Sequence, residues 1–279
     1  MRQQKPVVLV TGASRGIGAA AAVAFARAGW RVAITARTQV DGQMLDHQLR
    51  RPDGAVMSGS LASTAAAVQK AGAESFAHPM DLMDSTSLDA AFDAVLAHYG
   101  RIDVLLNNAV YQDRESNALL RDLDDDALQR TLWGNVVAPV HLARRALPVM
   151  VAQGGGQIVN VTSGAGKHDP PVPADQGAWG YAYGASKAAL GRLSGCINVE
   201  YGQQGVRAFS VNPGLVSTEA VTATLGDGGL LEQRYGAMKP ERIASALLWL
   251  VTDPSAADLA GRPDMIDLQD LIRDGRVKS

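Results

Sequence analysis

The sequence is short of thiols, because Cys196 is its only cysteine among 279 residues. One thiol excludes a disulfide within the chain and any metal site built from several thiolates of one chain, and it suits a reducing compartment. We expect Cys196 itself to be packed against neighbouring side chains, since nothing beside it in the sequence indicates an activated thiol.

An excess of charge of one sign is also lacking. The chain carries 26 Lys and Arg against 28 Asp and Glu, which gives a formal net charge of -2. This balance offers no electrostatic case for nucleic acid or an anionic membrane surface as a main partner. The five histidines show no pair at the spacing of a zinc-binding helix, so we expect no catalytic metal.

Long hydrophobic runs are missing as well, because Gly, Pro or a charged residue interrupts every apolar stretch. No window approaches the length needed to span a bilayer. The first apolar run, Val7 to Val10, is too short for a secretory signal peptide. We therefore expect a cytoplasmic protein with no membrane partner.

Short β-branched runs alternate with longer Ala/Leu-rich segments of helical period. Helices are predicted near 16–28, 63–71, 86–99, 124–152 and 181–201, and strands at Val7–Thr11, Arg31–Ala36, Ser75–His78, Asp103–Asn107, Gln157–Thr162 and Val206–Val211. Several strands are almost wholly apolar, so helices should cover both faces of the sheet. The pattern predicts an α/β fold with a doubly wound parallel sheet, the Rossmann fold.

No proline- or serine-rich linker divides the chain, so residues 1–279 are expected to form a single domain. Three segments interrupt the alternation: insertions near 38–60 and 164–182, and a segment near 217–238. The second contains three prolines and cannot be a helix interior. The third is rich in glycine, with Gly226, Gly228 and Gly229, and is interpreted as a substrate lid.

A glycine-rich turn joins the first predicted strand to an alanine-rich helix. Glycines let the backbone turn sharply and approach a pyrophosphate, while the helix N-terminus offers unpaired N–H groups and the positive end of its dipole. This context favours a dinucleotide site over a plain turn. The residues predicted to hold the phosphates are Gly12, Ser14, Arg15, Gly16, Ile17 and Gly18.

The second predicted strand lacks the acidic residue that would bind the ribose of NAD. Ala36 ends this strand, and Arg37 and Thr38 follow it. An arginine here accommodates a 2′-phosphate that a carboxylate would repel, and Arg15 adds a second cation nearby. The alternative is that both arginines are solvated surface residues. We expect NADP(H) to be preferred over NAD(H).

With these motifs in order, the sequence resembles the short-chain dehydrogenase/reductase family, in its single-domain branch, from about Lys5 to Asp253. The motifs are TGASRGIG at 11–18, Asp81-Leu82, Asn107-Asn108-Ala109, Asn135, the Ser163 region, the tyrosine and lysine of Tyr183-Gly-Ala-Ser-Lys187, and Asn212-Pro213-Gly214. The resemblance implies hydride transfer between a nicotinamide cofactor and a ketone or secondary alcohol.

Tyr183 and Lys187 stand four residues apart on a predicted helix, so their side chains share a face. Reduction of a carbonyl needs a proton donor at its oxygen, and a free tyrosine with a pKa of about 10 exchanges its proton poorly near neutrality. The lysine ammonium and an oxidised nicotinamide should lower that pKa. Tyr181 is not a candidate, because Ala185 stands four residues after it.

The resemblance assigns the remaining site residues. Ser163, at the carboxyl end of the fifth strand, would hydrogen-bond the substrate oxygen, and Asn135 would order water near the lysine. Tyr183 and Lys187 would also contact the nicotinamide and its ribose. Further cofactor contacts are implied for Asp81, Leu82, Asn108, Ala109, Pro213, Gly214, Val216 and Thr218.

The chain departs from the family pattern at several places. Val110 stands where the family usually has glycine after its Asn-Asn-Ala motif, and Ser163 and Tyr183 are further apart than is common. The tail lacks the family's usual final double glycine, so the resemblance does not predict whether the chain forms the last strand of the sheet or the tetramer contact that uses it. Two alternatives to a ketone/alcohol oxidoreductase remain: a sensor that binds NADP(H) without turnover, and an epimerase or dehydratase of the same superfamily.

The substrate is expected to be a small carbonyl compound or alcohol, apolar or ring-bearing. This expectation rests on apolar residues of the two loops that should shape its pocket, namely Trp179, Tyr181, Leu215, Val221 and Leu225. The resemblance further implies a homodimer or homotetramer built through the long central helices.

Overall fold

The protein is built on one parallel β-sheet of seven strands. The computed structural model describes residues 5–46, 50–51, 53–113, 115–225, 228–262 and 264–277. Within these residues the strands are arranged in the order β3-β2-β1-β4-β5-β6-β7. Their bounds are β1 Val7–Thr11, β2 Arg31–Ala36, β3 Ser75–Pro79, β4 Val104–Asn107, β5 Gly156–Val161, β6 Val206–Asn212 and β7 Ile266–Asp267.

Helices cover both faces of this sheet. They are α1 Gly16–Arg27, α2 Leu61–Lys70, α3 Ser85–Tyr99, α4 Asp125–Leu132, α5 Ala138–Ala152, α6 Tyr181–Tyr201, α7 Glu219–Leu225, α8 Gly228–Tyr235, α9 Pro240–Thr252 and α10 Leu268–Arg273. Side chains alternate along the strands: Val8 packs on the face with α1 and α9, whereas Leu9 packs on the face with α3 and α5. The doubly wound Rossmann fold predicted from the sequence is confirmed.

The helix predicted near 124–152 is present over residues 125–152, but its middle is wider than an α-helix. A π-helical turn, Trp133–Val137, separates α4 from α5. Pro139 provides the physical reason, because it has no N–H to donate to the carbonyl four residues earlier and its ring crowds that carbonyl. The carbonyl belongs to Asn135, so the helix widens at a residue predicted to be functional.

The three interrupting segments have different structures. Residues 164–182 contain only two short 3-10 turns, Gly164–Gly166 and Ala174–Gln176, before α6 begins. Residues 217–238 are largely helical, since α7 and α8 lie within them, but Gly226 is outside the described residues. Residues 47–49 and 52 of the first insertion are outside them too.

The chain reverses its path across the sheet between β1 and β4. It runs outward through β2 and β3, returns to the centre at β4, and then continues to the other edge through β5 and β6. Strand order changes direction at this point, which leaves a crevice at the carboxyl ends of β1 and β4. The predicted site residues lie around this crevice.

Candidate active site

The turn between β1 and α1 requires its glycines for different reasons. Gly12 and Gly16 have positive φ angles of 67° and 56°, a backbone conformation that residues other than glycine rarely adopt. Gly18 is helical, but a Cβ atom there would lie 2.3 Å from the carbonyl oxygen of Gly12. The turn therefore brings bare backbone to the N-terminus of α1, as a phosphate-binding loop needs.

A carboxylate already occupies the N-terminus of α1. Glu219, at the start of α7, accepts the N–H of Gly16 through Oε2 at 3.0 Å. This contact shows that the helix N-terminus receives an anion in the geometry in which a phosphate oxygen would bind. The loop thus fits a pyrophosphate, provided that the Glu219 side chain moves aside. Sequence reasoning missed Glu219, because only the tertiary fold brings α7 to this turn.

Arg15 connects the glycine turn to the first insertion. Its guanidinium donates to the carbonyl oxygens of Ser58 at 2.8 Å and Gly59 at 3.0 Å. Arg37 donates to the carbonyl oxygen of Asp46 at 3.2 Å. Burial, chiefly, lowers the pKa of Arg15; Glu219 opposes this shift, and the nearby charge of Arg37 adds to it. Both arginines line the same crevice.

The ends of β3 and β4 form the part of the crevice where the family resemblance predicts the adenosine. The amide of Asn108 donates to the carbonyl oxygens of Thr11 at 2.9 Å and Gly12 at 3.2 Å, which joins the glycine turn to β4. The N–H of Ala109 is held by the Thr11 hydroxyl at 3.0 Å. Asp81 accepts the N–H of Met83 at 2.9 Å, which fixes the turn after β3.

Tyr183 and Lys187 lie one turn apart near the start of α6. The Lys187 ammonium donates to the carbonyl oxygen of Val161 at 3.0 Å and lies 5.8 Å from the centre of the Tyr183 ring. Ser163 was expected to close β5 but lies two residues beyond its end, where its hydroxyl accepts the N–H of Ala165 at 3.2 Å. The Ser163 side chain also acts to lower the pKa of Tyr183.

Burial controls the ionisation of both side chains. It lowers the pKa of Lys187 to about 8, because a buried ammonium loses its hydration. It also raises the pKa of Tyr183 above its ordinary value, and the hydrogen bond with Ser163 opposes this rise. The lowering of this pKa by Lys187 together with an oxidised nicotinamide stays a prediction, because it concerns the site with cofactor bound.

Asn135 holds the backbone that follows the Asn-Asn-Ala motif. Its side-chain oxygen accepts the N–H of Tyr111 at 2.7 Å, and its nitrogen donates to the Tyr111 carbonyl at 3.1 Å. The same nitrogen donates to Ser186 at 3.2 Å, the residue before Lys187. Asn135 thus connects the π turn to α6 and fixes the chain after Val110, where glycine is usual in the family.

A cavity of about 380 Å³ joins these groups at the crevice. All the predicted cofactor residues except Gly18 line it, whereas Asn135 and Ser163 do not. Leu215 and Val221 line it as expected, but Trp179 and Tyr181 do not, and the Leu225 side chain lies outside the description. Its wall also includes residues that sequence reasoning missed: Met80, Tyr111, Gln112, Glu219 and Ala220.

Comparison with known proteins identifies the chain. A family model described as short chain dehydrogenase matches residues 6–58 and 54–227, which is most of the sequence. The chain belongs to the short-chain dehydrogenase family. The family resemblance inferred from the motifs is therefore confirmed, and the parallel sheet with its crevice is the fold of this family.

Relatives of this short-chain dehydrogenase carry different names. A 3-oxoacyl-[acyl-carrier-protein] reductase of Synechocystis sp. is 29% identical over 94% of this chain and 95% of its own. A cyclohexanol dehydrogenase of Rhodococcus sp. is 31% identical over 89% and 90%. A solved short-chain type dehydrogenase/reductase from Mycobacterium marinum superposes with a TM-score of 0.76 at 26% identity, covering 95% of each chain.

These findings make the protein an oxidoreductase of a family that uses nicotinamide cofactors on alcohol or ketone groups. Among its described residues, no helix is both long and apolar enough to cross a bilayer. In that same part of the chain, no three His, Cys, Asp or Glu side chains converge as ligands for a metal ion. Cys196 is exposed on α6, so the expectation that it is packed was wrong.

Proposed function

We propose that this short-chain dehydrogenase interconverts a ketone and a secondary alcohol with NADP(H), using Tyr183 as acid and base. The observation that carries the proposal is the placement of the Lys187 ammonium 5.8 Å from the centre of the Tyr183 ring, one helical turn away, with the Ser163 side chain acting on the pKa of the same phenol. The nicotinamide supplies or accepts the hydride when it is bound. A raised tyrosine pKa keeps the phenol protonated at neutral pH, which suits a donor to a carbonyl oxygen.

Each side chain has a distinct part in this proposal. Tyr183 gives its proton to the substrate oxygen during reduction and removes it during oxidation. Ser163 donates to the same oxygen and stabilises its negative charge as the carbonyl is reduced. Lys187 places a positive charge beside the phenol and the ribose of the cofactor. Asn135 keeps the π turn against α6 and so holds Lys187 in place.

Measuring the turnover of ketones and secondary alcohols tests the proposal. Purified protein is incubated with a panel of ketones with NADPH, and of secondary alcohols with NADP⁺, while the absorbance of the reduced nicotinamide is followed. We expect consumption of NADPH with at least one ketone and faster turnover with NADPH than with NADH. Tight binding of NADPH without turnover across the panel would favour a sensor instead.

Cofactor preference is tested by reversing the charge at the end of β2. We expect Arg37→Asp to weaken the binding of NADPH about tenfold or more, because a charge-assisted hydrogen bond to the phosphate is lost. The binding of NADH should change little. Dissociation constants are measured by fluorescence titration. Arg31→Asp makes the same charge change at the other end of the strand and should leave both constants unchanged. Equal losses for both cofactors in Arg37→Asp would contradict a role at the 2′-phosphate.

The substrate proposed is apolar or ring-bearing. Support comes from Leu215, Val221 and Tyr111 in the cavity wall, with Gln112 as a polar group among them. The segment 217–238 is proposed as the lid over this space. Binding of cofactor and substrate together should then slow tryptic cleavage after the exposed Arg234, while cleavage after Lys70 stays constant; equal cleavage rates with and without ligands would contradict closure.

We further propose a cytoplasmic homodimer or homotetramer formed through the central helices. Large apolar side chains are exposed there: Trp133 and Val137 at the π turn, and Val199 on α6, which is 86% exposed. Paired helices would cover these side chains. Sedimentation of the purified protein gives its oligomeric state, and a monomer at micromolar concentration would contradict this part of the proposal.

A further inference from the structure

The turn after β6 forms the wall of the cavity next to Tyr183. Pro213, Gly214, Leu215 and Val216 all line this cavity. Arg37 and Asp81 line its other end, on the β2 and β3 side of the sheet. A dinucleotide whose reacting ring lies at Tyr183 would therefore place that ring against this turn and its adenosine near Arg37.

Gln269 holds this turn from behind. Its amide nitrogen donates to the carbonyl oxygens of Pro213 at 3.1 Å and Leu215 at 2.8 Å, the two residues that flank Gly214. Both amide hydrogens are used in this way, and the side chain is only 5% exposed. A Cβ atom on Gly214 would lie 2.4 Å from the same nitrogen, so the amide packs directly on the turn.

The Gln269 amide is itself fixed in orientation. Its oxygen accepts a hydrogen bond from Arg273, one turn later on α10, at 2.8 Å. Leu271 and Ile272 of α10 belong to the buried core shared with α9. The helix that carries Gln269 is thus anchored in the core.

A second contact joins the same chain segment to the loop that carries Ser163. Asp267 accepts the amide of Asn212 at 2.9 Å. The oxygen of that amide accepts the N–H of Gly164 at 3.1 Å and of Gly214 at 3.0 Å. Residues 267–273 therefore connect the turn beside the cavity with the loop that carries Ser163.

We propose that Gln269 is a positioning residue that fixes the 213–216 turn in the shape that receives the nicotinamide end of the cofactor. This inference rests on the proposed function for the identity of the ligand. The two hydrogen bonds span the turn at Gly214, so their loss frees the backbone on both sides of it. The adenosine end of the cavity makes no contact with Gln269 and should not respond.

The test compares two glutamines with the same chemistry. Gln269→Met removes both donors at similar length. Gln153→Met is the control, because Gln153 also donates to two carbonyl oxygens, of Ile102 at 2.7 Å and Gly155 at 3.0 Å, but at the amino ends of β4 and β5. Dissociation constants are measured for NADPH and for 2′,5′-ADP, which carries only the adenosine end, together with Tm.

We expect Gln269→Met to raise the dissociation constant of NADPH about tenfold and to leave that of 2′,5′-ADP within about twofold of the wild-type value. Gln153→Met should lower Tm without changing either constant. A purely structural role for Gln269 would also lower Tm alone. The inference is overturned if folded Gln269→Met binds NADPH as the wild type does, or if both ligands weaken equally.

Two further measurements cover the other outcomes. If Gln269→Met does not fold, Arg273→Met is used instead, because it removes the group that orients the Gln269 amide. It should weaken the binding of NADPH about threefold without weakening that of 2′,5′-ADP. Unchanged binding of NADPH would overturn the inference. If the wild type binds neither ligand, the proposed function fails. Hydrogen exchange at the Gly214 amide then decides whether Gln269 fixes the turn: faster exchange in Gln269→Met than in Gln153→Met supports it, and equal exchange refutes it.

Discussion

Replacement of Tyr183 by phenylalanine is expected to reduce turnover on the order of 10³-fold, within the range that a positioned acid or base contributes. The phenyl ring fills the same space, so the cavity keeps its shape, while the proton donor is lost. NADPH should bind within about threefold of the wild-type affinity, since the phosphate and adenosine contacts are untouched. Steady-state rates and a fluorescence titration measure the two effects separately.

Tyr181→Phe is the matched control for this substitution. Tyr181 lies two residues earlier, is 58% exposed and has alanine rather than lysine four residues on. Its replacement should leave turnover unchanged. Comparable activity in the two variants would remove Tyr183 from the proposed mechanism. If Tyr183 and Ser163 act on one oxygen, Ser163→Ala should add little to the loss in Tyr183→Phe, because residues that act as a unit are not additive.

Replacement of Lys187 by methionine is expected to reduce turnover about 10²-fold and to change the pH dependence of stability. Methionine keeps the length of the buried side chain but has no charge to place beside the phenol. It also leaves the Val161 carbonyl without its donor, at 3.0 Å in the wild type. Steady-state kinetics measure the first effect, and urea unfolding across the pH range measures the second.

The sign of the stability effect follows from the lowered pKa. The folded protein holds Lys187 at a pKa of about 8, whereas the unfolded chain has the ordinary value of 10.5. Below pH 8 both states are protonated, and the full cost of burying the charge is present. Between these pH values the unfolded state binds more protons, so this group makes the wild type more stable as pH rises.

The methionine variant has no such dependence. Its stability relative to the wild type should therefore decline on the order of 3 kcal/mol between pH 7 and pH 10.5, since one pKa unit corresponds to about 1.4 kcal/mol. Lys70→Met removes an exposed lysine at the end of α2 and should show a flat difference. If the difference in stability between Lys187→Met and the wild type is also independent of pH, the Lys187 ammonium is not desolvated. Its buried position beside the Val161 carbonyl would then be contradicted.

The elements of the sheet were predictable because their signals are local. Apolar runs bounded by turn residues gave β1 and β2 with the observed bounds. The glycine turn could also be predicted from the sequence, since the conformations of Gly12 and Gly16 depend on the neighbouring backbone. The π turn was not predicted, although Pro139 inside the helix 124–152 is a residue type that disturbs a regular α-helix.

The contacts that shape the candidate site from a distance were not predictable. Glu219 reaches Gly16 across 203 positions of sequence, and Gln269 reaches the 213–216 turn from beyond β7. Neither residue type indicates such a role in a linear pattern, because glutamate and glutamine are ordinary helix residues. The effect of burial on the pKa of Tyr183 was not predictable for a related reason: desolvation depends on the packed surroundings, which spacing alone does not describe.

The π turn beside Asn135 has a consequence for how this chain tolerates changes in length. A π turn contains one residue more than the α-helical path, so deleting one residue from 133–137 could restore regular geometry. Because the bulge contains the extra residue, such a deletion would leave α4 and α5 on their present faces, but the side chains within the turn would shift by about 100° per residue. Asn135 would then lose its hydrogen bonds with Tyr111 and Ser186. A deletion scan should therefore find this position intolerant of shortening, even where substitutions of Val136 or Val137 are accepted.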